Sequence, residues 1–281
     1  GGQEGSNMAR QALKPPFAYY GGKTTLGPEI AALLPEHDHY VEPFAGSLAV
    51  LLAKEPSRLE TVNDLDDRLV TFWTVLRDQP RELERVCALT PQSRAEYERS
   101  LDFTGGDVEI ARRVWVALTQ GRTNSLRPAG WRAQKRATVG ISRPMYLERY
   151  VGRFATVAAR LKHVSLESRD AVEMIEHYGT EPSVCIYADP PYLGSTRAAN
   201  YGVEMLEDEL HVRFGEACNN AKAAIVVSGY ASPLYEDIFA GWHRMELKAP
   251  TKLSGAAAEN EVLWSNRPFA AQAAFDFGGI A

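Results

Sequence analysis

The segment Asp189-Pro190-Pro191-Tyr192 combines the side chains best suited to chemistry. An apolar run over residues 184–188 precedes it and predicts a buried strand, which the two prolines end. Ligands of open α/β sheets bind at the carboxyl ends of the strands. The segment therefore brings one carboxylate, one proline carbonyl and one aromatic ring to a position where a substrate can meet them.

These groups suit the methylation of an aromatic amine. The exocyclic amine of adenine is a weak nucleophile because its lone pair is delocalised into the ring. The Asp189 carboxylate and the Pro190 carbonyl can each accept one amine hydrogen, which frees the lone pair for attack on a methyl sulfonium. Tyr192 can stack on the base. A plain Asp-Pro turn after a strand is the alternative explanation of this segment alone.

A first turn that could position a ligand lies near the start of the chain, at Tyr19-Tyr20-Gly21-Gly22-Lys23. Its paired glycines allow a ligand to approach the backbone closely. We expect Thr24 or Thr25 to cap the helix that follows, with Pro28 in its first turn. Lys23 at the helix start could meet a carboxylate. A phosphate loop and a solvated lysine are the alternatives, and the full phosphate-loop pattern is absent.

Residues 39–47 predict a strand followed by a second tight turn, and an apolar helix comes next. Strand, tight turn and helix are typical of the opening of a nucleotide-binding βαβ unit, although the three-glycine fingerprint is absent. The next predicted strand ends in Asn63-Asp64, where such folds hold a ribose hydroxyl, so Asp64 is the candidate. Asp170, after a later strand, could contact a cofactor adenine or cap a helix.

The remaining periodicity predicts alternating helices and strands. Helices are predicted over residues 65–101 with breaks at Pro80 and Pro91, and over 108–119, 145–161 and 206–220. Further strands are predicted over residues 164–166, 223–227, 244–247 and 261–264.

The segment from Gln120 to Arg149 is rich in basic side chains and has Glu148 as its one acidic residue. Trp131 and Tyr146 are interleaved with the basic residues. Such a segment is typical of a nucleic-acid contact surface, and a solvated linker is an equally good explanation of the charge alone. The candidate DNA-binding residues are Arg122, Asn124, Arg127, Arg132, Lys135 and Arg136.

Composition sets broad limits on the class of protein. The 281 residues allow one large α/β domain or one domain with an insertion, and the net charge is −5. The three cysteines at positions 87, 185 and 218 indicate reduced thiols in a cytoplasm, and no metal site is expected. No run is long and apolar enough to cross a bilayer. Residues 1–7 are interpreted as a cloning remnant.

Four motifs, namely Tyr19–Lys23, Glu42–Gly46, Asn63-Asp64 and Asp189–Tyr192, occur in this order. In combination the chain resembles the Dam-like, class D12 DNA adenine-N6 methyltransferases of the alpha group. The resemblance implies an α/β, Rossmann-like class I methyltransferase sheet with helices on both faces. It also implies an S-adenosylmethionine-binding catalytic domain over residues 8–70 and 160–281. A mostly helical and loop target recognition domain would be inserted at residues 71–159.

The resemblance further implies roles for individual residues. The catalytic residues would be Asp189, Pro190, Pro191 and Tyr192, and the target adenine would be flipped out of the duplex to reach them. Asn124 and Arg127 would contact bases. The cofactor would be bound by Tyr19, Tyr20, Gly22, Lys23, Glu42, Phe44, Asp64, Asp170 and Asp189.

The expected partner is double-stranded DNA, bound by a monomer in the cytoplasm of a bacterium or encoded by a phage, with a cognate restriction system as a further possible partner. No membrane partner is expected. Three other activities remain open: methylation of cytosine N4 in DNA, methylation of an amine in RNA, and DNA binding without catalysis. A nicotinamide-dependent oxidoreductase is disfavoured by the missing glycine fingerprint.

Overall fold

A seven-stranded mixed sheet forms the centre of the protein in the computed structural model, which describes residues 12–137, 140–191, 208–248 and 260–270. Its strand order is β3-β2-β1-β4-β5-β7-β6. In chain order the strands are β1 (His39–Glu42), β2 (Leu59–Asn63), β3 (Val164–Glu167), β4 (Val184–Ala188), β5 (Ala224–Gly229), β6 (His243–Leu247) and β7 (Glu261–Ser265).

Strands β1 to β5 run parallel to one another, whereas β7 runs antiparallel to both β5 and β6. The strand order changes direction between β1 and β4, where Tyr40 lies opposite Cys185. A crevice forms at the carboxyl ends of the strands on either side of such a switch point. The last residue of β1, Glu42, and the residue after β4, Asp189, therefore lie at the same edge of the sheet.

Eleven helices surround the sheet in the described residues. They are α1 (Gly27–Leu33), α2 (Ala49–Ala53), α3 (Asp67–Asp78), α4 (Pro80–Ala88), α5 (Arg94–Ser100), α6 (Asp107–Gln120), α7 (Arg143–Val151), α8 (Phe154–Leu161), α9 (Ala171–Tyr178), α10 (Asp208–Asn220) and α11 (Pro233–Ile238). None of these described helices has the length and apolar character of a membrane span.

Each face of the sheet buries its own apolar layer, because successive side chains of a strand point to opposite faces. Tyr40 and Cys185 belong to the core shared with α1 to α8. Val41 and Ile186 belong to the core shared with α9, α10 and α11. The predicted α/β sheet with helices on both faces is confirmed.

Helices α4 to α7 lie within residues 71–159, which were predicted to be an inserted domain, and α3 and α8 overlap its two ends. Their buried side chains, among them Phe72, Trp115 and Phe154, are part of the same core as the sheet residues Tyr40 and Tyr187. The fold therefore attaches these helices to one face of the sheet through a continuous apolar interior. The division into a catalytic and a recognition domain stays a prediction.

Two predictions of local structure are wrong. The helix expected over residues 145–161 is two helices, interrupted at Gly152, whose N–H donates to the Glu148 carbonyl at the end of α7. The cap expected from Thr24 or Thr25 is also absent, because Leu26 occupies the N-cap position and makes no side-chain cap bond. Pro28 does lie in the first turn of α1. The predicted breaks at Pro80 and Pro91 and the predicted strand pair β6–β7 are confirmed.

Candidate active site

Asp189 lies immediately after β4 and is 6% exposed. Pro190 and Pro191 are also buried, whereas Tyr192 lies outside the described residues. The Nζ atom of Lys23 lies 3.2 Å from Oδ1 of Asp189. Since a carboxylate is costly to bury without a partner, this ion pair stabilises Asp189 at the edge of the sheet.

Lys23 reaches this position from the loop that precedes α1, and it is itself only 7% exposed. Besides contacting Asp189, its Nζ lies 3.4 Å from Oε1 of Glu261. It also donates a hydrogen bond of 3.1 Å to the Gly21 carbonyl. The expectation that Lys23 meets a carboxylate is confirmed, and the alternative of a solvated lysine is wrong.

Two glycines allow the loops of the site to pack closely. A Cβ on Gly22 would lie 2.9 Å from the Tyr19 carbonyl oxygen. Gly46 has a φ of +48°, in the left-handed region, and a Cβ there would lie 3.1 Å from the Tyr19 ring. These loops and the β4 end line one small cavity, with Tyr19, Gly22, Lys23, Phe44, Gly46 and Asp189 in its wall.

Glu42 lines the same cavity and is buried. It accepts a hydrogen bond of 2.9 Å from the Tyr40 hydroxyl. Burial, aided by the negative charge of Asp189, raises the pKa of Glu42 to about 8, although the Tyr40 bond opposes the rise. Glu42 is therefore mostly protonated at neutral pH, and Asp189 and Glu261 leave the cavity with more negative than positive charge around Lys23. Such a cavity favours a cationic ligand.

Asp64 is fully buried beneath the turn that contains Gly46. Its Oδ2 accepts from the Gly46 N–H at 3.1 Å, and its Oδ1 accepts from the Asp66 N–H at 3.0 Å. The neighbouring Asn63 donates to the Pro43 carbonyl at 3.0 Å. The pair Asn63-Asp64 thus holds the turn in place. The ribose contact of Asp64 stays a prediction.

Asp170 caps α9, since its Oδ1 accepts from the N–H groups of Val172 at 3.0 Å and Glu173 at 3.3 Å. The helix-cap interpretation is confirmed. The contact of Asp170 with a cofactor adenine stays a prediction.

Residues 19–108 match the family model of the D12 class N6 adenine-specific DNA methyltransferases. The matched residues contain the first three of the four motifs, and the resemblance to class D12 is confirmed. No curated protein sequence is significantly similar to the chain. The match and the seven-stranded sheet support adenine methylation of DNA.

The basic segment begins with a closed hairpin. Gly121 and Trp131 form an antiparallel bridge, and the Arg132 N–H donates to the Gln120 carbonyl at 2.8 Å. The buried Gln120 side chain accepts from the Trp131 ring N–H at 3.2 Å. A solvated linker is therefore the wrong description of residues 120–132.

The basic segment is bonded directly to the loop of Tyr19–Lys23, because the Tyr20 N–H donates to the Asn124 carbonyl at 2.9 Å. Asn124 has a φ of +51°. Its side-chain oxygen accepts from Nη2 of Arg132 at 3.0 Å, and the same Nη2 donates to the Arg122 carbonyl at 2.5 Å. Asn124 and Arg132 thus shape the hairpin, and their contacts with DNA stay predictions.

The other candidate DNA contacts differ in exposure. Arg122, Lys135 and Arg136 are exposed, whereas Arg127 is half-buried. The structure therefore presents at least three basic side chains of this segment to solvent. Their binding to DNA, like that of Arg127, stays a prediction.

Glu261 is a residue of the site that sequence reasoning missed as a functional group. The apolar pattern predicts it only as the first residue of a strand. The one signal in the sequence is an acidic residue at the start of the apolar run Val262-Leu263-Trp264. Tyr187 was also missed: it lines the cavity, and its hydroxyl is 2.8 Å from the Ser228 hydroxyl.

Proposed function

We propose that this protein transfers a methyl group from S-adenosylmethionine to the N6 amine of an adenine flipped out of double-stranded DNA. The observation that carries the proposal is the position of the Asp189 carboxylate. It is buried at the carboxyl end of β4, in the same cavity as the loops of Tyr19–Lys23 and Glu42–Gly46. A methyl donor and an acceptor amine would therefore meet beside this carboxylate.

The residues of the cavity fit the cofactor. Gly22 and Gly46 allow the two loops to pack closely against Tyr19, where a Cβ would clash. Asp189 and Glu261 provide negative charge near the place where a positive group would bind. When bound, S-adenosylmethionine supplies an electrophilic methyl group. Tyr19, Tyr20, Gly22, Lys23, Glu42 and Phe44 would hold it, with Asp64 and Asp170 toward the nucleoside.

Asp189 and Pro190 would prepare the acceptor. The carboxylate accepts one hydrogen of the amine and the proline carbonyl accepts the other, so the nitrogen lone pair points toward the methyl group. Lys23 fixes the Asp189 carboxylate through its contact at 3.2 Å. Because the carboxylate is buried, water competes little for it. Tyr192 and Pro191 would pack against the base.

The adenine amine of a duplex cannot reach a buried carboxylate, so the base must be flipped out. The basic segment would bind the phosphates next to the flipped nucleotide. The bond between Tyr20 and Asn124 supports this placement, because it fixes the hairpin beside the cofactor loop. Double-stranded DNA is thus the proposed partner, with the protein acting as a monomer.

In vitro methyl transfer tests the proposed reaction. The purified chain is incubated with S-adenosylmethionine carrying a labelled methyl group and with DNA from a methylation-free strain, or with RNA from the same strain. We expect label in the DNA and calorimetric binding of S-adenosylmethionine. Label in RNA alone, or binding of a nicotinamide dinucleotide in place of S-adenosylmethionine, would contradict the proposal.

A further inference from the structure

The ammonium group of Lys23 meets three acceptors from three parts of the chain. These are the Gly21 carbonyl at 3.1 Å, Oδ1 of Asp189 at 3.2 Å and Oε1 of Glu261 at 3.4 Å. We propose that Glu261 is a positioning residue for methyl transfer, which acts by holding Lys23 in the orientation that fixes the Asp189 carboxylate. This inference rests on the proposed function.

The location of Glu261 calls for an explanation beyond packing. It opens β7, where the next three residues are apolar and almost fully buried, and it is itself only 5% exposed. A carboxylate in such a place is unfavourable unless it is paired. Its partner Lys23 comes from the opposite end of the chain, so the pair joins β7 to the loop before α1. The same ammonium also contacts Asp189.

The Lys23 ammonium donates a hydrogen bond to the Gly21 carbonyl and forms ion pairs with both carboxylates, at 3.2 Å from Asp189 and 3.4 Å from Glu261. Because the ammonium lies between two negative charges, the attraction of Glu261 opposes that of Asp189. Without the Glu261 charge, the ammonium could move further onto Asp189 and compete with the target amine for its oxygens. Glu261 thereby keeps the carboxylate ordered and still able to accept from substrate.

The charge balance supports the same role. One ammonium between two carboxylates leaves a net charge of −1, whereas Lys23 and Asp189 alone would be neutral. Glu42 contributes little at neutral pH, since burial raises its pKa to about 8. Glu261 is therefore the group that determines whether the surroundings of Lys23 carry an excess of negative charge.

Steady-state kinetics of the full chain, with labelled S-adenosylmethionine and DNA from a methylation-free strain, test the proposal. Glu261→Gln keeps the shape of the side chain and removes its charge. We expect kcat to fall roughly 10- to 100-fold, the loss typical of a hydrogen bond to a charged group. KM for S-adenosylmethionine should rise by less than kcat falls, because Asp189 keeps its negative charge near the cofactor and the main effect is on the orientation of the Asp189 carboxylate. Glu246→Gln, on the exposed side of β6, should keep wild-type kinetics.

A second variant separates action through Lys23 from an independent role. In a Lys23→Met background, adding Glu261→Gln should cause no further loss of kcat. Additive losses would overturn the proposal, as would a wild-type kcat in Glu261→Gln or a loss confined to KM for S-adenosylmethionine. A loss confined to KM would make Glu261 a direct ligand.

Two further measurements separate a failure of this inference from misfolding of the variant and from a failure of the proposed function. If Glu261→Gln does not fold, Glu261→Asp decides, since it keeps the charge and withdraws it by one methylene. A lowered kcat at unchanged KM then supports the role, and a wild-type kcat overturns it. If the wild-type protein itself transfers no methyl group to DNA, the proposed function fails, and this inference fails with it.

Discussion

Four ionisable side chains meet at the edge of the sheet: Lys23, Glu42, Asp189 and Glu261. All four are buried. Their charges can coexist because Lys23 neutralises part of the acid and because burial keeps Glu42 protonated at neutral pH. The site is therefore sensitive to any change that adds or removes one charge.

Glu42→Gln tests the protonation of this cluster. Burial raises the pKa of Glu42 from an ordinary value of 4.5 to about 8 in the folded protein. Well below pH 4.5, the Glu42 carboxyl is protonated in both the folded and the unfolded protein. Between these values the folded protein keeps a proton that the unfolded chain has lost. The free energy of unfolding therefore falls as pH rises toward 8, by a few kcal/mol as an order of magnitude.

Glutamine is neutral at every pH and can still accept from Tyr40. Between pH 5 and pH 8.5, we expect the free energy of unfolding of the wild type to fall relative to that of Glu42→Gln by about a few kcal/mol. Denaturant unfolding of both proteins at both pH values provides the measurement. Parallel pH dependence in the two proteins would show that Glu42 is already ionised in the fold.

Sequence motifs predicted some of these residues and missed others for a physical reason. Asp189 and Lys23 belong to short segments whose residue types are themselves informative, so the carboxylate and its cation could be predicted. Glu261 has no such surroundings in the sequence, and only the antiparallel insertion of β7 beside β5 brings it to Lys23. A local sequence pattern does not show which distant segments will pair in the sheet.

At the scale of elements, the turn after β1 is held in place by side chains from other parts of the chain. Asp64 accepts from the Gly46 N–H at 3.1 Å. The ring N–H of Trp73 on α3 donates to the Gly46 carbonyl at 3.2 Å. Both peptide groups of this glycine thus have partners from other elements. Helix α3 thereby supports the turn after β1, in addition to packing against the sheet.

Trp73→Phe removes one of these supports. The buried Gly46 carbonyl loses its donor, so we expect a loss of about 1–3 kcal/mol in the free energy of unfolding. The affinity for S-adenosylmethionine should also fall, because the turn lines the cavity. Chemical denaturation and calorimetric titration measure the two effects. The control is Trp242→Phe, whose ring N–H bonds Asn219 away from the cavity. Equal cofactor affinity in Trp73→Phe and wild type would contradict the role of α3.

The elements themselves followed from the sequence where the apolar pattern was strong. The β4 run and the breaks at Pro80 and Pro91 are examples, since burial and proline sterics act locally. The split between α7 and α8 and the missing threonine cap of α1 could not be predicted. Between α7 and α8 the Arg153 N–H bonds to the Tyr150 carbonyl, three residues back, and this tighter turn ends the regular helix. At the start of α1 the Gly27 N–H bonds to the Lys23 carbonyl and has no threonine side chain as its partner.

At the scale of the whole molecule, the fold places a basic segment beside an acidic cavity. The net charge of −5 does not predict affinity for DNA, so the distribution of charge must provide it. The Tyr20–Asn124 bond joins the two regions. DNA bound by the hairpin would therefore lie next to the loop of Tyr19–Lys23.

The double substitution Lys135→Ala with Arg136→Ala tests this arrangement. Both side chains are exposed, so their removal should leave the stability nearly unchanged. If both contact phosphates, the slope of log K against log salt should decrease in magnitude by about 1.8. Fluorescence anisotropy with duplex DNA at several salt concentrations gives the slope. Arg58→Ala is the control, since the 84% exposed Arg58 side chain lies near the amino end of β2. An unchanged slope in the double variant would remove both residues from the interface.

The central claim is that Asp189 enables methyl transfer to adenine N6. Mass-spectrometric nucleoside analysis of DNA from a methylation-free bacterial strain that expresses the chain tests it most directly. We predict N6-methyladenine with the wild type and none with Asp189→Ala at equal levels of folded protein. N4-methylcytosine without N6-methyladenine, or equal N6-methyladenine from both proteins, would contradict the account.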